Sequence, residues 1–464
     1  MSKPGLSRGS VCGRDVNTFR VEPAGCPRRD ASNRRRLAGM QEKGMRGTGL
    51  SRRQFMGGAA GMALAAAHGM AHAAPKSPNE RLGVGQIGCG GRGGAHMQIV
   101  DWLKDNGGGV ELVAVCDTYR GRLDRAAQKY NAKAYMDYRE MLADPRVDLV
   151  CIATPDHQHG YQALDAIRAG KDVYCEKPVT HWRQFDLTKK LAGEVEKTGR
   201  VVQIGAQGMS DSAWRQMRKL IEEGLIGQPI HAECGYFRVG DWGERGMPID
   251  DPNVKPGPDL DWDAFLGDAP KRPYDVSRYF RWRMYEDYAG GPSTDLFPHS
   301  LTPVVYMLGV GMPSMAVATG GKFRYEEREV PDTFNMLIDY PEKITVAVLG
   351  TQGNDYQATG GRGAPGRVPV IRGWEGSLTV QDKEIVFIPA DGSKKKPQRF
   401  PIEAPEDATA HFKNFIDCAR AGNPATWSPM DLAFRVQTAL QMGTLALRKN
   451  KVARFDAKKQ QIIL

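Results

Sequence analysis

Two polar side chains four residues apart, Asp295 and His299, could form an acid–base pair. If that stretch is helical, positions i and i+4 share one face, so the carboxylate can contact the imidazole. A carboxylate oriented toward an imidazole makes a usable base near neutral pH. The alternative is a helix-capping aspartate beside a packed histidine. The spacing therefore predicts either a proton-transfer pair or a structural one.

A lysine, Lys177, follows directly on the apolar run 172–175 in the tripeptide Glu176-Lys177-Pro178. Open parallel sheets bind ligands at the carboxyl ends of their strands, so a lysine there can meet a substrate. Hydride removal from a carbinol carbon needs a base for the hydroxyl proton and a cation for the developing oxyanion. Lysine, imidazole and carboxylate can supply both. The alternative is an exposed lysine at the end of a strand.

A glycine cluster from Gly88 to Gly93 follows the apolar run 82–87 and precedes an amphipathic stretch that reaches 103. The pattern G-x-G-x-x-G between a strand and a helix is typical of a dinucleotide-binding turn. Gly88 would permit the tight turn, Gly90 the close approach of the pyrophosphate, and Gly93 the packing of helix on strand. A plain strand-to-helix turn is the alternative.

An acidic residue, Asp117, ends the next predicted strand, 24 residues beyond Gly93. A carboxylate at this position binds the ribose hydroxyls and disfavours a 2′-phosphate. The sequence therefore favours NAD over NADP as cofactor, although Arg120 and Arg122 could accommodate NADP.

Strands and helices alternate through the first half of the chain, which predicts a doubly wound parallel sheet. The predicted strands are 82–87, 110–116, 148–154, 172–175 and 201–204. Beyond residue 228 the pattern changes to strands that follow one another, at 230–239, 315–321, 333–340 and 344–349.

The N-terminal segment has the features of a twin-arginine export signal. Arg52 and Arg53 precede a small-residue apolar run, 57–67, that ends near an Ala-x-Ala cleavage pattern at 71–73. A short buried helix is the alternative. We expect residues 51–73 to be a signal peptide read by the twin-arginine machinery, and the mature protein to be periplasmic or otherwise extracytoplasmic.

Residues 1–50 are poor in apolar side chains and are expected to be disordered, or to belong to an over-long gene assignment whose translation starts at Met40 or Met45. The net charge of +10 comes from the leader: residues 1–73 hold 13 Lys and Arg against 4 Asp and Glu, which leaves 51 against 50 beyond. We therefore expect no nucleic-acid partner. No apolar run is long enough to span a membrane.

Three motifs in order resemble the Gfo/Idh/MocA oxidoreductase family: the glycine cluster Gly88–Gly93, the loop Thr154–His159, and Glu176-Lys177-Pro178. The resemblance runs from about Arg81 to the C-terminus. It includes three later stretches: Leu260-Asp261-Trp262, Arg281-Trp282-Arg283, and Gly290-Gly291 ahead of Asp295 and His299.

This resemblance implies an α/β fold with two domains. A Rossmann doubly wound parallel sheet would occupy 81–205, and a C-terminal α/β domain with an open, mainly antiparallel sheet would occupy 206–404. Residues 405–464 would form C-terminal helices that pack back near the Rossmann domain. The open sheet of such proteins often makes oligomer contacts, so the resemblance implies a homo-oligomer.

The resemblance also implies roles for individual residues. Lys177 would hold or protonate the substrate oxygen, and His299 would be the base that Asp295 orients, with Asp295 also binding substrate. The commonest family pattern, Asp-x-Gly-x-His-x-x-Asp, is altered here because Phe297 replaces the glycine and Thr302 the second aspartate. The implied cofactor contacts are Gly88, Gly90, Gly91, Arg92, Gly93, Asp117, Thr154, Pro155, His159, Glu176 and Lys177.

The substrate contacts are less strongly indicated. Trp282, Arg283, Tyr285 and Tyr288 could line a sugar site, since aromatic faces and guanidinium groups suit hydroxylated rings, but packing roles are an equal alternative. His157 and His159 lack a third ligand at useful spacing, so we predict no metal.

These features together predict an exported NAD(P)-dependent oxidoreductase that transfers hydride between nicotinamide and a hydroxyl of a sugar, polyol or glycoside. One alternative is a redox-neutral, NAD-dependent glycosidase that oxidises, eliminates and restores its substrate. Another is a non-catalytic sugar-binding or assembly protein that keeps the fold.

Overall fold

The first domain is built on six parallel strands in the order β3-β2-β1-β4-β5-β6. A computed structural model describes residues 81–239, 247–357, 361–362 and 368–464. The order of the strands reverses between β1 and β4, and ligands bind beside the carboxyl ends of strands at such a point. The strands are β1 (Leu82–Ile87), β2 (Val110–Cys116), β3 (Lys133–Tyr135), β4 (Leu149–Ile152), β5 (Asp172–Glu176) and β6 (Val202–Gly205).

Helices cover this sheet because its strands are apolar on both faces: all six residues of β1 and all four of β4 are buried. The sheet and its helices are the Rossmann fold that the sequence predicted. The helices are α1 (Gly91–Asp105), α2 (Arg120–Tyr130), α3 (Tyr138–Leu142), α4 (Asp156–Arg168) and α5 (Phe185–Thr198).

The second domain begins with helix α6 (Ser212–Glu222), which Asp211 caps by accepting a hydrogen bond from the amide of Ala213. Its mixed sheet has the order β17-β16-β15-β14-β7-β10-β9-β8-β18-β19, with β11 paired to β7. Only β7 and β10 pair in parallel among its described strands, so the expected open, mainly antiparallel sheet is confirmed.

The strands of this domain alternate buried and exposed positions, as in β9, where one face meets the core. They are β7 (Pro229–Val239), β8 (Met315–Gly321), β9 (Thr333–Tyr340), β10 (Ile344–Thr351), β11 (Gly353–Asn354), β14 (Val370–Gly373), β15 (Gly376–Gln381), β16 (Glu384–Pro389), β17 (Gln398–Pro401), β18 (Ala453–Asp456) and β19 (Gln461–Ile463), beside a separate pair β12 (Tyr356–Gln357) and β13 (Gly361–Arg362).

Between β7 and β8 the chain leaves the sheet and folds as residues 247–290, which we name the strap, followed by two helices. The strap is built around an aromatic cluster that includes its own residues Trp262, Phe265 and Tyr279. The helices of this region are α7 (Trp262–Leu266), α8 (Val276–Phe280), α9 (Pro292–Asp295) and α10 (Phe297–Leu308).

The strap is attached to the Rossmann domain at three separate places. After β2, the amide of Asp261 donates to the carbonyl of Thr118 at 2.9 Å, and the hydroxyls of Thr118 and Tyr279 lie 2.8 Å apart. At α4, the side-chain amide of Gln158 donates to the carbonyl of Phe265 at 2.7 Å. Beyond β5, His181 Nε2 lies 3.1 Å from the carbonyl oxygen of Glu286. The strap therefore spans the carboxyl edge of the parallel sheet from β2 to β5.

The C-terminal segment contains α11 (Ala408–Ala421) and α12 (Met430–Lys449). Phe412 of α11 stacks on Tyr174 of β5 with 4.0 Å between ring centroids, so this helix packs on the Rossmann domain. The segment is not helical throughout, because β18 and β19 follow α12 and extend the second sheet at β8.

The predicted leader, 1–50, and the predicted signal peptide, 51–73, lie outside the described residues. Within the described part of the chain, no helix is both long and apolar enough to cross a membrane.

A buried histidine, His411, makes the stability of the fold depend on pH. Burial lowers the pKa of His411 to about 3, and its Nδ1 faces the side-chain amide nitrogen of Gln203 at 2.9 Å. The unfolded chain takes up a proton at this histidine near pH 6.5, whereas the folded chain does so only near pH 3. The contribution of the neutral histidine to stability is therefore complete above about pH 6.5 and is lost as the pH falls from about 6.5 toward 3.

We predict that His411→Asn weakens this pH dependence. Between pH 6 and 4, the free energy of unfolding of the unchanged protein should fall by about 1.4 kcal/mol per pH unit more than that of the variant. Denaturant titrations at several pH values measure the two slopes. Parallel slopes would show that His411 is not held neutral by the fold.

Candidate active site

The glycine turn leaves no room for side chains on its inner side. Gly88 has a φ of +85°, and a Cβ on it would lie 2.6 Å from the carbonyl oxygen of Ala153. A Cβ on Gly93 would lie 1.8 Å from the carbonyl oxygen of Gly88, which holds α1 directly on the turn. Gly91, in contrast, has nothing within 4 Å of its Cβ position. The turn thus exposes the N-terminus of α1, a favourable position for a pyrophosphate.

Asp117, at the end of β2, lies beside this turn and is almost fully buried. Its carboxylate accepts hydrogen bonds from the amides of Cys89 and Tyr119 at 2.8 and 2.9 Å. Burial raises the pKa of Asp117, while the charge of Arg122 and the two amides oppose that effect. The two amides hold the carboxylate at the cleft, where the sequence placed a ribose ligand.

The two arginines that could accept a 2′-phosphate are both engaged elsewhere. Arg122 makes a two-pronged ion pair with Asp250 of the strap, at 2.8 and 3.2 Å. Arg120 lies 3.7 Å from Asp259. With Asp117 in place and Arg122 neutralised, the geometry suits NAD better than NADP.

Asp250→Asn should therefore reduce the preference for NAD, because it frees the guanidinium of Arg122 next to the ribose position. We expect the ratio of the two dissociation constants, NADP+ over NAD+, to fall about 5-fold, or roughly 1 kcal/mol. Titration calorimetry measures both constants. Asp259→Asn, which removes the exposed partner of Arg120, is the matched control; an equal change in both variants would argue against a specific role for Arg122.

Glu176 and Arg92 form the floor of the cleft behind the glycine turn. Glu176 accepts from Arg92 Nε at 2.7 Å and from the side-chain amide of Gln207 at 2.8 Å, with His96 Nε2 at 2.9 Å. Burial alone would raise the pKa of Glu176, but the charge of Arg92 and the hydrogen bond with His96 hold it well below its usual range. Arg92 Nη2 is buried with no hydrogen-bond partner in the described chain.

An unpaired buried guanidinium nitrogen is costly unless a ligand satisfies it. Because Arg92 lies at the start of α1 and lines the cleft, it fits the phosphate of a dinucleotide.

Lys177 and Asp295 also line the cleft, where their side chains pair. Lys177 Nζ donates to the carboxylate of Asp295 at 2.8 Å and to its carbonyl oxygen at 2.5 Å. Arg283 Nε donates to the same carboxylate at 3.3 Å, and Arg238 lies 3.9 Å away. Burial would raise the pKa of Asp295, but these three cations, Lys177 first, hold it well below its usual range. Asp295 is therefore a permanent anion that orients the lysine.

His299 also lines the cleft, but on a different helix from Asp295. The sequence allowed one helix to carry both; in the structure α9 ends at Asp295 and α10 begins at Phe297, with Leu296 between them. The hydrogen bonds that locate the Asp295 carboxylate come from Lys177 and Arg283.

The two departures from the usual family pattern are explained by packing. Phe297 is fully buried, and a Cβ on Gly350 would lie 2.6 Å from its ring, so the phenylalanine fits only beside a glycine. Thr302 is buried and donates to the carbonyl of Pro298 at 2.6 Å. Both substitutions face the core and leave His299 at the cleft.

The remaining predicted residues divide into two groups. Thr154, Pro155, His159 and Arg283 line the cleft. Tyr285 donates to the hydroxyl of Ser277 at 2.9 Å, and Tyr288 is fully buried against Phe265. The structure does not bring these two tyrosines to the cleft, because their rings belong to the aromatic cluster of the strap. Trp282, the other aromatic candidate, does reach the cleft, 4.1 Å from the guanidinium of Arg283.

The histidines flanking this region make hydrogen bonds to backbone carbonyl groups. His157 Nε2 lies 2.8 Å from the carbonyl of Phe265, and both ring nitrogens of His159 lie within 2.8 Å of carbonyl oxygens. Within the described residues, no group of three or more His, Cys, Asp and Glu side chains could hold a metal ion.

Sequence reasoning missed Asp156, the first residue of α4. It is 3 % exposed, lines the cleft, and accepts a hydrogen bond from the hydroxyl of Thr294 at 2.9 Å. Its position within the Thr154–His159 loop, directly after a parallel strand, was the available signal.

The glycine turn and the lysine belong to one continuous cleft of about 1240 Å³. Its lining includes Gly88 to Arg92, several strap residues, and Lys177, Asp295 and His299. A cleft of this kind can hold an extended dinucleotide with its phosphates at α1 and still leave room for a small polar substrate.

Two family models match almost all of the described chain. The Gfo/Idh/MocA family, described as an oxidoreductase family with an NAD-binding Rossmann fold, matches residues 82–206, and the C-terminal α/β domain of the same family matches 210–464. The chain belongs to the Gfo/Idh/MocA oxidoreductase family. The sequence-based family assignment is thus confirmed, together with an NAD-binding domain at the glycine turn.

Characterised members of this family are similar over part of the chain. An inositol 2-dehydrogenase of Salmonella paratyphi B is 36 % identical over 169 residues, 36 % of this chain and 49 % of that protein. A scyllo-inositol 2-dehydrogenase (NAD(+)) of Bacillus subtilis is 30 % identical over 172 residues, 37 % of this chain and 46 % of that protein. The match thus spans about half the length of these relatives.

Solved structures of other family members share the fold over both domains. A levoglucosan dehydrogenase in complex with NADH has a TM-score of 0.61 at 19 % identity, and covers 80 % of this chain and 98 % of its own. The WlbA dehydrogenase from Bordetella pertussis, in complex with NADH and UDP-GlcNAcA, has a TM-score of 0.59 at 18 % identity, with 81 % and 99 % covered.

Proposed function

We propose that this member of the family is an NAD-dependent dehydrogenase that oxidises a hydroxyl of a sugar, polyol or glycoside. The observation that carries the proposal is the placement of Lys177, Asp295 and His299 in the same cleft that the glycine turn lines. The oxidoreductase family and the inositol dehydrogenase relatives support the same reaction class.

The residues of the chain divide the work of the reaction. Bound NAD supplies the hydride acceptor. Lys177, held by Asp295, donates a hydrogen bond to the substrate oxygen and stabilises negative charge there. His299 takes the hydroxyl proton as the base. Arg283 and Trp282 form the adjoining wall, where a guanidinium and an aromatic face can bind a hydroxylated ring.

A second candidate, a redox-neutral glycosidase that keeps its NAD, is favoured by one feature of the fold. The strap lines the cleft and contacts the Rossmann domain after β2 and again at α4. A segment that lies along the cofactor cleft can slow NAD release, so a cofactor retained through many turnovers fits this arrangement.

Export and assembly belong to the same proposal. The paired arginines, the apolar run and the Ala-x-Ala pattern support twin-arginine export of the folded, cofactor-loaded protein to an extracytoplasmic compartment. The open sheet of the second domain supports a homo-oligomer. Fractionation of cells that produce the full chain, compared with Arg52→Lys/Arg53→Lys, tests export: the variant should stay in the cytoplasm.

A cofactor-release experiment distinguishes the two catalytic candidates. Purified protein is denatured, and the released nicotinamide is quantified; fresh protein is then incubated with sugars, polyols and glycosides, with and without added NAD+. Net formation of NADH with a sugar or polyol supports the dehydrogenase. Cleavage of a glycoside with bound NAD and no net reduction supports the glycosidase.

A further inference from the structure

A buried carboxyl at the N-terminus of α4, Asp156, has no part in the proton transfer described above. It is 3 % exposed and follows Pro155, so it lies at the carboxyl end of β4 beside the end of β5. The hydroxyl of Thr294 donates to it at 2.9 Å. A carboxyl that lines an active-site cleft yet is shielded from water is well placed to bind or release a proton at neutral pH.

The charges that face Asp156 come from three other elements. Arg283 lies on the turn Trp282–Met284, Lys177 follows β5, and Asp295 ends α9. Burial raises the pKa of Asp156 to about 7, with Asp295 acting in the same direction and with Arg283, Lys177 and Thr294 opposing.

Two histidines lie beside Asp156 on α4. Burial lowers the pKa of His157 to about 4, so His157 is neutral near pH 7. Burial also lowers the pKa of His159, while its contacts with the carbonyls of Pro178 and Thr154 oppose that effect. The carboxyl and carboxylate forms of Asp156 are both accessible near pH 7.

The pKa values of the two carboxyl groups, Asp156 and Asp295, are thus shifted in opposite directions. Asp295 stays ionised because three cations surround it, whereas Asp156 can change its protonation state. Environments that separate two neighbouring carboxyls in this way typically assign them different tasks.

The position of Asp156 links it to the redox state of NAD. A dinucleotide whose pyrophosphate lies at α1 directs its nicotinamide toward the carboxyl ends of β4 and β5, where Asp156 and Lys177 lie. The nicotinamide ring is positively charged in NAD+ and neutral in NADH. The field at Asp156 therefore changes by one elementary charge between the two forms of the enzyme.

We propose that Asp156 is a redox-coupled proton acceptor, ionised when NAD+ is bound and protonated when NADH is bound. In the oxidation, the C–H electron pair and its hydrogen go to NAD+, the O–H bond breaks, and the proton passes through the base to the Asp156 carboxylate. Hydroxyl, NAD+ and carboxylate become carbonyl, NADH and carboxylic acid, so the net charge of the closed site does not change. This inference rests on the proposed dehydrogenase function.

Proton release on cofactor binding tests this without turnover. Calorimetric titrations with NAD+ and with NADH, each in buffers of different ionisation enthalpy, give the number of protons released per site. We expect NAD+ to release more protons than NADH, by about half a proton near pH 7. Asp156→Asn, which resembles the protonated form, should abolish that difference. Asp186→Asn removes an exposed carboxyl from the first turn of α5 and should retain it.

A second variant makes the test independent of how Asp156→Asn folds. Thr294→Val removes a hydrogen bond that stabilises the ionised carboxyl, so the pH of the largest NAD+/NADH difference should move upward. Equal proton release by the two cofactors, a difference that survives Asp156→Asn, or an unshifted maximum in Thr294→Val would each overturn the inference. Failure to bind either cofactor would refute the proposed function itself.

Discussion

Replacing Lys177 with methionine is expected to lower kcat by about 1,000-fold while the protein still binds NAD. The loss combines two effects: no cation remains in hydrogen-bond reach of the substrate oxygen, and Asp295 loses the donor that lies 2.8 Å from it. Methionine keeps the length of the chain, and Arg283 still pairs with Asp295, so the fold should tolerate the change.

Steady-state kinetics and cofactor titration measure the two parts separately. Lys190→Met, on the exposed side of α5, is the control for loss of a lysine and should leave kcat unchanged. Turnover of Lys177→Met within a few-fold of the unchanged enzyme would remove Lys177 from the reaction.

The second large effect is expected at the glycine turn. Gly93→Val places a Cβ 1.8 Å from the carbonyl oxygen of Gly88, so α1 must move away from β1. Because that carbonyl is backbone, nothing flexible can yield. We expect NAD affinity to fall by at least about 100-fold, roughly 3 kcal/mol, with a lower Tm.

The adjacent glycine provides a matched control. Gly94 lies on the same turn of α1, and nothing lies within 4 Å of its Cβ position. Gly94→Ala should bind NAD normally and raise the free energy of unfolding by up to about 1 kcal/mol, because alanine favours the helix. Titration calorimetry and thermal unfolding compare the pair. Equal NAD affinities in the two variants would contradict the account of the turn.

The parallel sheet could be predicted because its strands are local, apolar runs separated by helices. The prediction 82–87 matches β1, and 110–116 matches β2. Strand β3 was missed because it is three residues long with two exposed positions. Strands β18 and β19 were missed because they join the sheet through the pairing of β18 with β8, which is distant in sequence, and short runs after a long amphipathic helix carry no sign of it.

The site was predicted in part, for a similar reason. Lys177, Asp295 and His299 line one cleft, as the sequence motifs that contain them led us to expect. The residue type of Tyr288 also suits a substrate site, so the sequence could not tell the two roles apart. Only tertiary packing shows that Tyr288 lies in the aromatic cluster of the strap. Likewise the link between Arg122 and Asp250 joins residues 128 positions apart.

The most direct test of the central claim is the absorbance of reduced nicotinamide when the purified protein is mixed with NAD+ and individual polyols and sugars. We predict NADH formation with at least one of them, retained in Lys190→Met and lost in Lys177→Met. NAD+ that binds tightly without net reduction, together with cleavage of a glycoside, would replace the dehydrogenase with the redox-neutral alternative. A protein that neither contains nor binds NAD would contradict the account from the glycine turn onward.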